Sequence, residues 1–223
     1  MTTTVITEPL ARATLRPHPL VSVMSLTAAA LGRGSVRDVS FELTAGRVHG
    51  VYATAGAGAS VLTAVLSGEL AATGGSVILG ELMNPGPRDF HRAGLVVIGS
   101  RGDLLPARSV AANIFLGREP RRHGDIDVDA MRADAADILT ALGSSLDPSA
   151  PVAALSRSEQ RLVEVARANA ARVRVLVVDE SLAEPNPALA AALAAMAREG
   201  VAVLRISTDI AELATGCDSV SSL

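Results

Sequence analysis

The chain has 223 residues, 49% of them hydrophobic but only 2% aromatic, and a formal charge of −3. That length supports one sizeable domain, or a core with a smaller lobe, with an interior built from Ala, Val, Leu and Ile. The mildly acidic balance without a basic run argues against a nucleic-acid footprint, and the single cysteine, Cys217, excludes an internal disulfide and fits a reducing compartment.

Three gaps narrow the chemistry further. Lysine is absent, so all 20 basic residues are arginine, and the only glutamine is Gln160. His18, His49, His91 and His123 are the only histidines, and no Cys/His spacing suits a metal. No apolar run reaches the roughly 18–20 residues of a membrane span.

In chain order, Met1–Pro19 is polar and proline-containing and is expected to be a disordered tail. Leu20–Leu31, LVSVMSLTAAAL, imitates the apolar core of a secretory leader, but the long lead with Glu8, Pro9, Pro17 and Pro19 argues against export. Val36–Leu43 alternates as a half-exposed strand, and Val48–Ala53 reads as a buried strand running into glycines. Ser60–Ser67 is apolar at helical spacing and stops at Gly68; Ser76–Leu79 and Leu95–Ile98 read as strands. The pattern then turns helical from Arg108, with a long segment Val128–Leu142 and, after the joint Asp147–Pro151, a helix Ser156–Ala170. Val173–Val178 is an apolar strand ending in Asp179-Glu180, Pro187–Arg198 an Ala-rich helix, and Val201–Ile206 the last buried strand. Strands alternating with helices predict a parallel α/β sheet with ligands at the carboxyl ends of its strands.

The stretch Ala53-Thr54-Ala55-Gly56-Ala57-Gly58-Ala59-Ser60 follows the outline of a P-loop, G-x-x-x-x-G-K-[ST], with the first glycine replaced by Ala53 and the lysine by Ala59. The backbone N–H groups from Gly56 through Ala57, Gly58, Ala59 and Ser60 to Val61 are expected to form an anion-attracting nest at a helix N-terminus. Ser60 is expected to reach a magnesium ion. The missing ammonium is worth up to about 4 kcal/mol at ~4 Å and an effective dielectric near 20, before desolvation. Its loss weakens triphosphate binding, and phosphoryl transfer more, because charge grows on those oxygens.

Further along, LSRSEQRLVEVARANAARVRVLVVDES (Leu155–Ser181) supplies a serine-led helix start and an apolar strand ending in Asp-Glu. Such a strand end places Asp179 in a magnesium shell and Glu180 where it can polarise an attacking water. Taken together, these segments resemble the nucleotide-binding domain of ABC transporters, in particular the first ATPase cassette of ribose-, xylose- and galactose-class importers. SVRDVSFELTAGRVHGV, VLTAVLSGEL, NIFLGREP, the LS–EQ–VE–A spacing, VRVLVVDE and GVAVLRISTDIAEL carry the likeness, from about Leu20 to Leu223.

The resemblance implies a P-loop NTPase fold of the α/β class: a mixed central sheet, an antiparallel β edge and a helical subdomain. It places a RecA-like core at 20–107 and 171–223 and a helical subdomain at about 108–170. It implies ATP and Mg2+ as ligands, membrane permease subunits and a second nucleotide-binding domain as partners, and a site on the cytoplasmic face of a membrane. Departures cluster at the chemistry. The adenine-stacking aromatic falls at Ala30, the Q-loop glutamine at Ser100, the signature glycines at Arg157 and Ser158, and the switch histidine at Thr208, whereas Ser156, Asp179 and Glu180 survive. Three functions follow as alternatives: a sugar-importer ATP-binding subunit with weak or no hydrolysis, an ABC-fold regulatory protein that binds no nucleotide, and a slow ATPase driving import.

Overall fold

Residues that alternate between apolar and polar build the first strands. β1 (Val21–Ala30) and β2 (Gly34–Leu43) pair antiparallel and bury Val21, Leu26, Val36, Val39 and Leu43. The computed structural model describes residues 18–32, 34–54, 58–100 and 102–223. Residues 1–17 of the expected tail, and Gly56 and Ala57 of the phosphate loop, therefore lie outside the described residues. The segment that imitates a leader is strand β1.

Next come β3 (Val48–Tyr52), α1 (Ala59–Leu66), β4 (Gly74–Leu79) and β5 (Leu82–Met83). β4 joins β1 on the side away from β2, giving a four-stranded antiparallel sheet in the order β2-β1-β4-β5. The β1 register slips between Met24 and Thr27, where Ser25 takes φ 47°. Gly75 faces this bulge with φ 71°, and a Cβ there would run into the carbonyls of Met24 and Ser25. Only glycine fits that approach.

The second half interleaves helices and strands, with a helical insertion between Ile98 and Val175. In order it contains α2 (Pro87–Arg92), β6 (Leu95–Ile98), α3 (Val110–Ile114), the small hairpin β7 (Arg121–Arg122) and β8 (Asp125–Ile126), and α4 (Val128–Ala141). Then follow α5 (Arg157–Ala170), β9 (Val175–Asp179), α6 (Pro187–Arg198), β10 (Ala202–Ser207), α7 (Ile210–Gly216) and β11 (Ser219–Ser222). The strands form a parallel five-stranded sheet in the order β11-β3-β10-β9-β6. β10 is thus not the final strand. SVSS contains one apolar residue, so β11 has no periodicity to announce it, and its pairing with β3 is supplied by the fold.

Side-chain alternation in the central strands divides the core in two. Val175, Val177, Ala202, Leu204 and Ile206 face α1 and the antiparallel sheet, while Leu176, Val178 and Val203 face α3, α5 and α6. Both faces being covered, β9 and β10 are buried along their whole length, which is why they read as mostly apolar runs, interrupted in β10 by Arg205. Asn113 of α3 is fully buried and pins the preceding loop, accepting from the Leu105 N–H (2.7 Å) and donating to the Leu105 and Ser109 carbonyls.

His49 ties the layers together at the outer edge. It stacks on Phe41 of β2 at 5.1 Å, and its Nδ1 and Nε2 lie 2.7 and 3.2 Å from the hydroxyls of Ser219 and Ser221 on β11. Burial pushes its pKa down to about 4. The fold accepts the neutral ring, so His49 costs nothing above its ordinary pKa, and stability falls as pH drops from there towards 4, by up to about 3 kcal/mol.

Two measurements follow from this packing. Leu204→Ala, in the central strand, should lose about 2–5 kcal/mol in urea unfolding, whereas Leu182→Ala, 80% exposed, should change it by less than ~0.5 kcal/mol. Unfolding free energies at pH 7 and pH 4.5 should show wild type losing ground relative to His49→Asn at the lower pH. A difference independent of pH would contradict the buried neutral imidazole.

Candidate functional site

Parallel pairing brings the ends of β3 and β9 to one rim, on either side of β10. Tyr52 is in register with Ser207, and Asp179 with Ile206. Beyond these pairs the Ala53 N–H donates to the Ser207 carbonyl (3.0 Å) and the Glu180 N–H to the Ile206 carbonyl (2.7 Å). The P-loop outline and the Asp-Glu strand end, distant in sequence, therefore share one edge of the sheet, as ligand sites of open α/β sheets do.

Gly58 is the N-cap of α1, in the left-handed conformation (φ 90°, ψ 15°). A Cβ there would collide with the Ser35 carbonyl at the start of β2, so glycine is required by both conformation and space. Its carbonyl accepts from the N–H groups of Val61 and Leu62, each at 2.9 Å. Val61, expected among the anion-facing amides, thus directs its N–H into the first turn of the helix. Ala59 is 7% exposed and belongs to the apolar cluster of α1 and the antiparallel sheet. At the P-loop lysine position there is a packed methyl. The Ser60 carbonyl accepts from the Thr63 hydroxyl at 3.1 Å.

Asp179 and Glu180 are both buried. Asp179 Oδ1 accepts from the Ser181 N–H (3.0 Å) and hydroxyl (2.6 Å). Glu180, expected to polarise a water, is held instead by Arg205 of β10: Nε to Oε1 at 2.8 Å and Nη2 to Oε2 at 2.9 Å. The same Nη2 donates to Glu212 Oε1 of α7 at 2.5 Å, while Arg205 Nη1 is buried without a hydrogen-bond partner among the described residues. Burial works against the charge of Arg205, but the bonds and charges of Glu180 and then Glu212 outweigh it and leave the guanidinium more firmly protonated than usual. The cleft of about 360 Å³ beside this triad is acid-lined, by Glu180, Glu184, Asp209 and Glu212.

Ser156, the surviving serine of the signature segment, is the N-cap of α5 in a reciprocal capping box with Glu159. Its hydroxyl donates to Glu159 Oε2 at 2.7 Å. One turn on, Arg161 reaches across to the sheet. Its Nη1 donates to the Gly99 carbonyl (2.6 Å) and to Glu164 Oε2 (2.9 Å), and its Nη2 to the Asp179 carbonyl (3.2 Å). Arg161 therefore clasps the carboxyl ends of β6 and β9. Ala30 ends β1, Ser100 follows β6, and Thr208 is exposed after β10, so these positions provide no stacking ring, amide or imidazole. Among the described residues, no group of three or more His, Cys, Asp or Glu side chains is arranged to hold a metal ion.

Arg205, Glu212 and Arg161 are not singled out by motif. A signal for the first was present: an arginine inside the apolar strand VAVLRIS must be met by an acid if that strand is buried.

Comparison with known proteins agrees with this geometry. A family model described as ABC transporter matches residues 36–183. The ribose import ATP-binding protein RbsA 2 of Streptomyces avermitilis is 36% identical over 214 residues, covering 93% of this chain and 42% of the relative. A putative ribose/galactose/methyl galactoside import ATP-binding protein 3 of Agrobacterium fabrum is 35% identical over 198 residues, covering 86% and 40%. The chain thus spans about two-fifths of the length of these curated relatives. Among solved structures, MJ1267, an ATP-binding cassette of an ABC transporter, superposes with a TM-score of 0.75 at 21% identity over 92% of this chain and 88% of that one. cbiO1 from Clostridium perfringens, part of the ABC transporter complex cbiONQ, gives 0.72 at 20% identity over 92% and 84%. Likeness at that identity speaks for the fold, while the family match and the closer relatives speak for descent: the chain belongs to the ABC transporter family, as an ATP-binding cassette.

Proposed function

We propose that this cassette is the ATP-binding subunit of an importer for ribose or a related sugar, and that it holds nucleotide with little or no hydrolysis. The relatives named for ribose and galactoside import support the first half. The observation that carries the second is the buried pair between Glu180 and Arg205. A carboxylate that polarises water needs a free oxygen beside the attacked phosphorus. Both oxygens of Glu180 accept from one guanidinium instead.

Ala59 acts in the same direction by removing the cation that neutralises the β and γ phosphates, and the acid-lined cleft next to Glu180 disfavours further negative charge. What remains for binding is backbone: the start of α1 with its positive dipole end, worth typically 0.3–1 kcal/mol and up to ~2 in partly buried geometry. Ser60 and Asp179 are the residues that would hold Mg2+, a donor set small enough to suit an ion that keeps waters and phosphate oxygens around itself. When bound, the ion supplies the neutralising charge that Ala59 lacks.

In this reading 20–107 and 171–223 form the nucleotide-binding core. The segment 108–170 is the helical lobe that faces the permease, and a second cassette completes the pair. Among the described residues no helix is long and apolar enough to cross a membrane, which accords with a peripheral subunit on the cytoplasmic face. A cassette that binds no nucleotide is the competing reading, favoured by the inward-turned Val61 N–H and the buried Ala59 methyl.

Titration with a fluorescent ATP analogue and magnesium separates the two. Ala59→Lys should raise affinity about tenfold or more, since every 1.4 kcal/mol regained is tenfold. An unchanged titration would leave the loop unsuited to phosphate and sink the nucleotide reading. Glu180→Gln should leave phosphate release at the wild-type level while lowering the melting temperature by about 6–12 °C, because it breaks a buried charge pair worth about 3–5 kcal/mol when one partner is removed. A marked fall in phosphate release, on a variant still folded, would restore Glu180 to catalysis.

A further inference from the structure

Strand β6 is an edge of the parallel sheet and pairs with β9 alone. The Gly94 carbonyl accepts from the Val175 N–H of β9 at 3.2 Å, and along a parallel ladder the backbone groups of successive residues point alternately to one side and the other. Val96 and Ile98 therefore bond to β9. The N–H and C=O of Val97 point away from it, and they have no hydrogen-bond partner among the described residues.

Beside this open edge lies a cavity of about 250 Å³, with Val96, Val97, Ile98 and Gly99 on one side and α5 with its C-cap on the other. Glu164, Arg167, Ala168 and Ala171 follow the i, i+3, i+4, i+7 spacing of one helix stripe, and the two alanines leave the room. Glu164 is 3% exposed, and only its Oε2 is engaged, by Arg161 Nη1 at 2.9 Å. Its Oε1 accepts no hydrogen bond among the described residues, although a carboxylate oxygen has room for more than one donor. Asp103 and Arg167 pair with one another at the mouth, where Arg118 stands exposed.

We propose that an extended segment of a partner polypeptide adds here as a sixth strand. Its main chain meets the N–H and C=O of Val97, and its alternate side chains turn towards α5. One of these is small and apolar and lies over Ala168 and Ala171. The next inward residue, two positions along, carries a neutral donor such as asparagine or threonine for Glu164 Oε1. Arg118 at the opening disfavours a lysine or arginine in that place. A helix is about 10–12 Å across and satisfies its own backbone, so it would overfill the recess and leave the Val97 groups unmet.

The test uses the full chain without nucleotide, so its failure leaves the reading of the phosphate loop untouched. The probe is a fluorescein-labelled, end-capped peptide in which valine and asparagine alternate with threonine. By anisotropy it should saturate wild type below about 1 mM. Of its two alternately N-methylated forms, the one blocked on the edge that meets β6 should not bind and the other should. Val97→Pro removes the outward N–H and keeps the ladder to β9, a change that edge strands tolerate, and should weaken binding about tenfold or more. Ala171→Phe, at a half-buried position, fills the recess and should weaken binding as much without touching β6, so the test stays decisive if the proline variant unfolds. No saturation of wild type, equal affinity for the two N-methylated forms, or undiminished binding to Ala171→Phe would overturn the proposal.

Discussion

Arg205 stands in the central strand of a sheet covered on both faces, where an unpaired charge would cost several kcal/mol even after relaxation. Much of the rim is arranged around meeting that charge. Glu180 is drawn in from the end of β9 with both oxygens engaged, and Glu212 is brought over by α7, whose start is set by the Asp209 cap. The carboxylate that the motif order marks for water activation is paired with the buried guanidinium. The same geometry that satisfies the buried guanidinium engages both oxygens of Glu180, which is what supports the proposed weak hydrolysis.

The phosphate loop illustrates a second balance. Its glycine cap is still required, because Gly58 presses on the Ser35 carbonyl in a left-handed conformation, and α1 still starts where the sheet rim would present it to an anion. The side-chain charge is gone, replaced by the Ala59 methyl in the apolar cluster. In magnitude the two do not compensate: a helix terminus contributes a fraction of what an ammonium at contact distance does. The charge absent at position 59 weakens the proposed nucleotide binding, and the pairing of Glu180 with Arg205 supports the proposed weak hydrolysis.

A third arrangement concerns rigidity. Arg161 joins the carbonyls at the ends of β6 and β9, and Asn113 fixes the loop that leads into α3. Helix α5 is thus bonded to the rim by side chain as well as packed on the sheet. Ser156 engages Glu159 across the first turn of that helix, so the surviving signature serine serves its own cap.

The long apolar segments were readable as elements from the chain alone. β9 and β10 are mostly apolar runs, α4 and α5 have helical periodicity, with Ser156 readable as a helix start, and the quoted segments together already resembled ABC cassettes. Short or polar pieces such as α2 and β11 were not, since six and four residues hold too few apolar positions to show a period and depend on neighbours for their bonds. The sequence also determined which side chains are missing from the site, because a methyl at position 59 is a matter of composition. Only the tertiary structure decided what the retained groups do. Whether Glu180 faces water or Arg205, and whether Val61 turns its N–H outward or into its own helix, depends on strands and turns that meet in space, and hydrogen-bond partners across a sheet leave no trace in local spacing.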